Sequence, residues 1–204
     1  IIISPHPRAK KCSSHAVALM SDELKKLGAP DDLIQVIEEP TMELSQQLMG
    51  AVDIIIATGG MGLVKAAYSS GKPAYGVGAG NVQVILDREY DISQAAKDII
   101  AGRIFDNGII CSGEQSVIAP SEKYEEVVKE FVANDAFYVE NEEEVEALRT
   151  TLFPKGHMNG DLVGQSVQKI AETAGIQVPA EIKVLLIKLL ISRLDYWLRS
   201  YIIY

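Results

Sequence analysis

Val52-Asp53-Ile54-Ile55-Ile56-Ala57 runs without interruption into Thr58-Gly59-Gly60-Met61-Gly62, and a helical pattern resumes at Leu63. A short apolar, β-branched run of this kind predicts a buried strand. A glycine cluster joining it to a helix is a βα turn, so the chain has to build a sheet with helices laid against it.

The rest of the sequence repeats that alternation. Strands are expected at 1–3, 33–37, 74–77, 82–86 and 116–119, with helices at 9–27, 45–50, 63–70, 92–104, 124–134 and 142–149. Strands and helices alternating at this spacing predict an α/β fold with a parallel sheet covered by helices on both faces. The acidic ENEEEVE run before Ala147 reads as a solvated helix start, where carboxylates favour the positive end of the helix dipole. No internal repeat or low-complexity linker interrupts the pattern.

At 204 residues and 48% hydrophobic content the chain is long enough for a real core. A formal net charge of −9 with no basic run argues against nucleic acid and anionic membrane surfaces as partners. The opening IIISPHPRAK lacks the basic lead of a signal peptide and is too short to span a bilayer, which gives cytoplasm as the expected location. The two cysteines, Cys12 and Cys111, show neither zinc-ligand nor disulfide-framework spacing, so no metal is expected.

Two places carry chemistry. Gly59-Gly60-x-Gly62 can present backbone N–H groups and a helix N-terminus to a phosphate, although a turn that merely reverses the chain needs the same glycines. Gly76-x-Gly78-x-Gly80 is a second permissive run. The other place is FDNGIICSGEQS, residues 105–116, where Cys111 sits among polar and glycine residues. Nucleophile and structural thiol are both open there, and Gly108 and Gly113 favour close backbone approach, with N–H groups able to stabilise an oxyanion. Cys12 lies on an amphipathic helix, which favours packing. A cysteine hydrolase would need a histidine base, for which His157 is the candidate in the same half of the chain.

Taken together, SPHPRAKK, IATGGMGLVKAAYSSGKPAYGVGAGN and FDNGIICSGEQS resemble the CoA-acylating branch of the aldehyde dehydrogenase superfamily, from residue 1 to about residue 187. That branch includes acetaldehyde dehydrogenase (acetylating) and CoA-dependent succinate-semialdehyde dehydrogenase. The resemblance implies a partial aldehyde dehydrogenase fold, with part of a Rossmann-like cofactor domain over 1–80, part of the catalytic domain over 81–187, and an atypical tail over 188–204. It implies a reaction of a short aldehyde with CoA and NAD or NADP, giving acyl-CoA through a cysteine thioester. Cys111 corresponds to the nucleophile. Thr58, Gly59, Gly60 and Gly62 would meet the cofactor pyrophosphate, Ser4, Pro5, His6 and Pro7 would lie along its adenosine, and Gly78 joins the cofactor set.

Val77 stands where hydrolytic relatives carry a water-activating Glu, which favours transfer to CoA over hydrolysis. Succinate semialdehyde is the favoured aldehyde. The turn 5–8 with Lys10 and Lys11 shows no acid to bind a ribose 2′-hydroxyl, so the cofactor preference extends to NADP unless these cations only solvate a helix start. By the resemblance, an oxyanion Asn, half of the cofactor domain and a ribose-binding Glu fall outside these residues. The alternative expectation is therefore a truncated noncatalytic fragment or assembly partner. In the tail, Lys188, Ser192, Asp195 and Arg199 fall at helical spacing and predict a buried or interface helix. An incomplete sheet should self-associate as a homo-oligomer or be covered by the tail.

Overall fold

The computed structural model describes residues 1–78, 80–189 and 198–203. The chain divides into two compact units, Ile1–Ala79 and Gly80–Tyr204.

In the first unit β1 (Ile2–Ile3) pairs in parallel with β2 (Gln35–Val36), and β3 (Ile55–Thr58) pairs in parallel with β4 (Ala74–Val77). The connecting helices are α1 (Lys10–Lys26), α2 (Met42–Ala51) and α3 (Met61–Tyr68). Thr41 starts α2 by accepting a hydrogen bond from the Leu44 amide at 3.1 Å. That cap places the helix three residues earlier than the apolar pattern alone indicates. Met49, Ile55, Ala57 and Ala67 form the small core that α2, β3 and α3 share.

The second unit begins with β5 (Val82–Ile85), α4 (Ile92–Ile104), β6 (Glu114–Pro120) and α5 (Tyr124–Ala133). It continues through β7 (Ala136–Val139), α6 (Glu142–Leu152), α7 (Val167–Ala174), β8 (Val184–Leu189) and β9 (Leu198–Ile203). Side-chain caps mark the helix starts: Asp91 accepts from Gln94 N–H, Asn141 from Glu143 and Glu144 N–H, and Ser166 from Lys169 N–H.

The strands form one sheet in the order β5-β6-β9-β8-β7. Along β8, Val184 and Leu186 enter the core shared with α4 and α5, while Leu185 and Ile187 enter the core shared with α6 and α7. This period-two alternation between two buried clusters shows that helices cover both faces of this sheet. Phe131, Leu148, Leu185 and Leu186 are completely buried, and replacing Phe131 by Ala would cost about 3–5 kcal/mol.

The tail corrects its expectation. Lys188 lies in β8 and Arg199 in β9, so neither belongs to a helix; Ser192 and Asp195 lie outside the described residues. β9 runs antiparallel between β6 and β8, in register Ala119↔Arg199 and Lys188↔Tyr201. The physical reason is the pair of strand edges on β6 and β8, whose backbone groups need partners and override a weak helical periodicity. Among the described residues no helix is long and apolar enough to cross a membrane, and no cluster of His, Cys, Asp and Glu could hold a metal ion.

Candidate functional site

Cys111 is exposed in the turn that joins α4 to β6. Both flanking elements are anchored in one core, through Ile99 and Ile100 on the helix and Val117 and Ala119 on the strand. The thiol is therefore presented by a short loop between two fixed ends.

The loop has an unusual backbone. A 3₁₀ turn covers Phe105–Gly108, and inside it Asp106 (φ 51°), Asn107 (φ 49°) and Gly108 (φ 70°) are successive left-handed residues. Asp and Asn tolerate this region better than other side chains, but two in succession need external support. Arg103 on α4 donates to the Gly108 carbonyl at 3.3 Å, and Asn107 Nδ2 donates to the Gly164 carbonyl at 3.1 Å. Ile109 N–H closes onto the Asp106 carbonyl at 3.2 Å, and Gly113 N–H onto the Ile110 carbonyl at 3.1 Å.

Gly80 is the nearest support of Cys111 itself. A Cβ added at Gly80 would lie 2.1 Å from the Cys111 carbonyl oxygen, so only glycine fits. Beyond it, Gln83 Nε2 donates to Asn81 Oδ1 at 2.8 Å, and the buried Ser116 hydroxyl donates to Gln83 Oε1. Glu114, three residues past Cys111, packs its carboxylate on Gly102 of α4, where a Cβ would lie 2.1 Å from Oε2. That oxygen is buried without a hydrogen bond among the described residues. His157 follows the 3₁₀ turn Pro154–Gly156, and its backbone N–H donates to the Pro154 carbonyl at 3.3 Å.

In the first unit, β3 ends at Thr58 and α3 begins after Gly60, which has no side-chain capping bond. No atom lies within 4 Å of a Cβ built at Gly60 or Gly62, and no acid occupies the first turn of α3. Open glycines at an uncapped helix N-terminus without negative charge suit a phosphate. Gly59 is more constrained: its N–H donates to the Val77 carbonyl at 3.0 Å, and Leu63 Cδ2 would lie 3.0 Å from its Cβ. Gly78 faces Met61, whose sulfur would be 2.8 Å from a Cβ, and Gly76 admits Val64 and Tyr68. These two glycines let α3 lie close on β4.

Ser4 Oγ lies 3.1 Å from Ser45 Oγ. His6 Nδ1 accepts from Arg8 N–H at 3.1 Å and caps the 3₁₀ turn Pro7–Ala9, while Pro5 and Pro7 fix the entry into α1. The expectation that no acid sits by this turn is corrected: Glu39, just after β2, pairs with Lys10 at 2.5 Å. The two residues are 29 positions apart in sequence, Lys10 opening α1 and Glu39 following β2.

The sequence profile of the aldehyde dehydrogenase family matches residues 5–151. A succinate-semialdehyde dehydrogenase (acetylating) of Clostridium kluyveri is 60% identical over 188 residues, 92% of this chain and 42% of that protein. An acetylating aldehyde dehydrogenase from Geobacillus thermoglucosidasius superposes with a TM-score of 0.89 at 43% identity, over 92% of this chain and 42% of that one. A propionaldehyde dehydrogenase of Rhodopseudomonas palustris, with bound CoA and an acylated cysteine, gives 0.88 at 34% identity, over 94% and 44%. The chain thus spans about two fifths of the length of these relatives.

Proposed function

The chain belongs to the aldehyde dehydrogenase family, and from that premise we propose that it carries the nucleophile and part of the cofactor site of a CoA-acylating aldehyde dehydrogenase. The observation that carries this reading is Cys111 itself. It is an exposed thiol on a supported turn, with the Gly80 backbone against its carbonyl.

The Cys111 thiolate attacks the aldehyde carbonyl carbon; the S–C bond forms as the π electrons move to oxygen. The Cys111 backbone N–H is a donor for that oxyanion. A nicotinamide cofactor, when bound, supplies the acceptor for the hydride that leaves the thiohemiacetal carbon. Cys111 then holds the acyl group as a thioester until the CoA thiolate attacks it, and Cys111 leaves with its electron pair. By the family resemblance Val77 stands where hydrolytic relatives carry a water-activating Glu, which favours CoA as the acyl acceptor.

The N-terminus of α3, with Thr58, Gly59, Gly60 and Gly62, would hold the pyrophosphate, and Ser4 to Pro7 the adenosine side. Gly78 acts through the packing of Met61. Succinate semialdehyde is the substrate favoured by the clostridial relative. NADP use is favoured by Arg8, Lys10 and Lys11 and opposed by Glu39.

The test is CoA-dependent NAD(P)H formation from succinate semialdehyde and from acetaldehyde by the protein carrying these residues, with Cys111→Ala as control. Formation that needs CoA and is lost in the variant is expected; formation without CoA, or retained in Cys111→Ala, overturns the reading. A second reading rests on the family resemblance, by which the oxyanion Asn and the ribose-binding Glu are not among these residues: this chain alone accepts an acyl group but does not turn over. Stoichiometric acylation of the 204-residue chain without NAD(P)H formation would identify that case.

A further inference from the structure

We propose that Asn107 is a positioning residue for Cys111, acting through a latch onto the backbone of Gly164. The proposal rests on the reading of Cys111 as the nucleophile. Asn107 sits in the middle of the left-handed 106–108 turn, four positions before the thiol. A left-handed conformation is disfavoured for a residue with a Cβ, less so for Asn and Asp. Such a conformation persists only where neighbours over-determine it.

Two of the supports are local. Arg103 reaches Gly108 from the last turn of α4, and Ile109 N–H returns to Asp106. Both tie the loop to neighbours within five positions in sequence. The Asn107 amide is different, because it crosses 57 positions of sequence to the Gly164 carbonyl at 3.1 Å. Ile109 reinforces the same point: a Cβ at Gly164 would lie 2.5 Å from Ile109 Cδ1, so glycine at 164 lets the loop seat there. Gly164 is itself left-handed, with φ 75°, which fixes the direction of its carbonyl.

The segment that carries Cys111 is thus pinned on one side by Gly80 and on the other by Gly164. Gly80 limits the approach of the Cys111 carbonyl, and the Asn107 latch sets where the turn before it lies. Asn107 is exposed, so its side chain adds little to the core. Its contribution is the register of the loop, and hence the angle at which the thiolate meets an acyl carbonyl. A displacement of about 1 Å at such a point costs up to about 10²-fold in rate.

The test compares two reactions of the same thiol in the 204-residue chain. Acetylation by p-nitrophenyl acetate proceeds by thiolate attack on a carbonyl and expulsion of nitrophenolate with its electron pair, and a placed N–H donor for the oxyanion accelerates it. Alkylation by iodoacetamide requires only an accessible thiolate. Asn107→Gly removes the donor while keeping the left-handed backbone free of strain, and Asn107→Asp keeps the shape while turning an acceptor toward the Gly164 carbonyl. Cys12 serves as the internal reference for both reagents.

The expected result is a fall of about tenfold or more in Cys111 acetylation in both variants, with alkylation of Cys111 within about twofold of the parent chain and the melting temperature retained by Asn107→Gly. Acetylation at the parental rate in both variants overturns the proposal. So does a parallel fall of acetylation and alkylation with early melting, which marks Asn107 as a fold determinant only. If Cys111 of the parent chain takes no acetyl group while Cys12 does, the assignment of the nucleophile fails instead, and the two failures are distinct.

Discussion

Replacing Gly80 by Ala should damage chemistry far more than it damages the fold. Gly80 has no left-handed backbone, so the cost is steric. The new Cβ would lie 2.1 Å from the Cys111 carbonyl oxygen, 3.1 Å from its carbonyl carbon and 3.7 Å from its Cα. All three are backbone atoms, so no rotamer change relieves the overlap. Reaching 3.0 Å, the shortest approach real Cβ atoms make, takes about 0.9 Å of movement. β5 and β6 pair at Val82↔Glu114 and hold both partners from behind, so the movement falls on the turn that carries the thiol. Overpacking of this size costs about 1–3 kcal/mol in stability, while a shift near 1 Å at a nucleophile costs about 10²-fold in rate.

The assay is the rate of nitrophenolate release with the acetyl group mapped to Cys111, alongside a thermal melt. Gly50→Ala in α2 is the control, because nothing lies within 4 Å of its new Cβ and alanine favours the helix by about 0.5–1 kcal/mol. A folded Gly80→Ala protein that acetylates Cys111 within about twofold of the parent rate would refute the reasoning.

Gly62→Glu should leave the melting temperature equal or higher, since the site is open and a carboxylate suits the first turn of α3, yet weaken NAD(P) binding about tenfold or more by calorimetry; unchanged affinity would remove the pyrophosphate from this helix. Glu39→Gln frees Lys10 from its ion pair and should raise the kcat/KM ratio of NADP over NAD about five- to tenfold, with little change in stability because the pair is exposed; an unchanged ratio would separate this turn from the 2′-position. The Tyr138 hydroxyl is pushed above the usual tyrosine range, chiefly by burial and then by its 2.5 Å hydrogen bond with Tyr124. Since the folded state holds that proton more tightly than the unfolded chain, the contribution is intact below about pH 10 and is lost as pH rises toward the folded value. Tyr138→Phe should therefore flatten the alkaline limb of melting temperature against pH, and an unchanged limb would assign it to other groups.

What was legible in the sequence follows from how local each signal is. Helix α4 is expected at 92–104 and found there, because Asp91 caps it and its buried residues recur at helical spacing. The strand 74–77 likewise sits where Pro73 and the glycines beyond Val77 bound it. The sequence reading assigns no element to 136–139 or 167–174: the first is four residues long after the left-handed Asp135, and the second is marked mainly by the Ser166 cap and Gly175. β9 was beyond local reading, since only the edges of β6 and β8 make a strand of 198–203.

The site divides in the same way. Cys111 stands out by its neighbours in sequence, and Asn107-Gly108 is a visible turn signal. The support from Gly164, the contact with Gly80 and the pairing of Glu39 with Lys10 span 57, 31 and 29 positions and require the folded chain.

The account stands most directly on the identity of the acylated residue. The protein carrying these residues, incubated with acetyl-CoA or succinyl-CoA and digested, should yield the acyl group as a hydroxylamine-labile thioester on the peptide containing Cys111. Cys12 should remain free, and Cys111→Ala should carry no acyl group. An acyl group on Cys12, or equal acylation in Cys111→Ala, would contradict it.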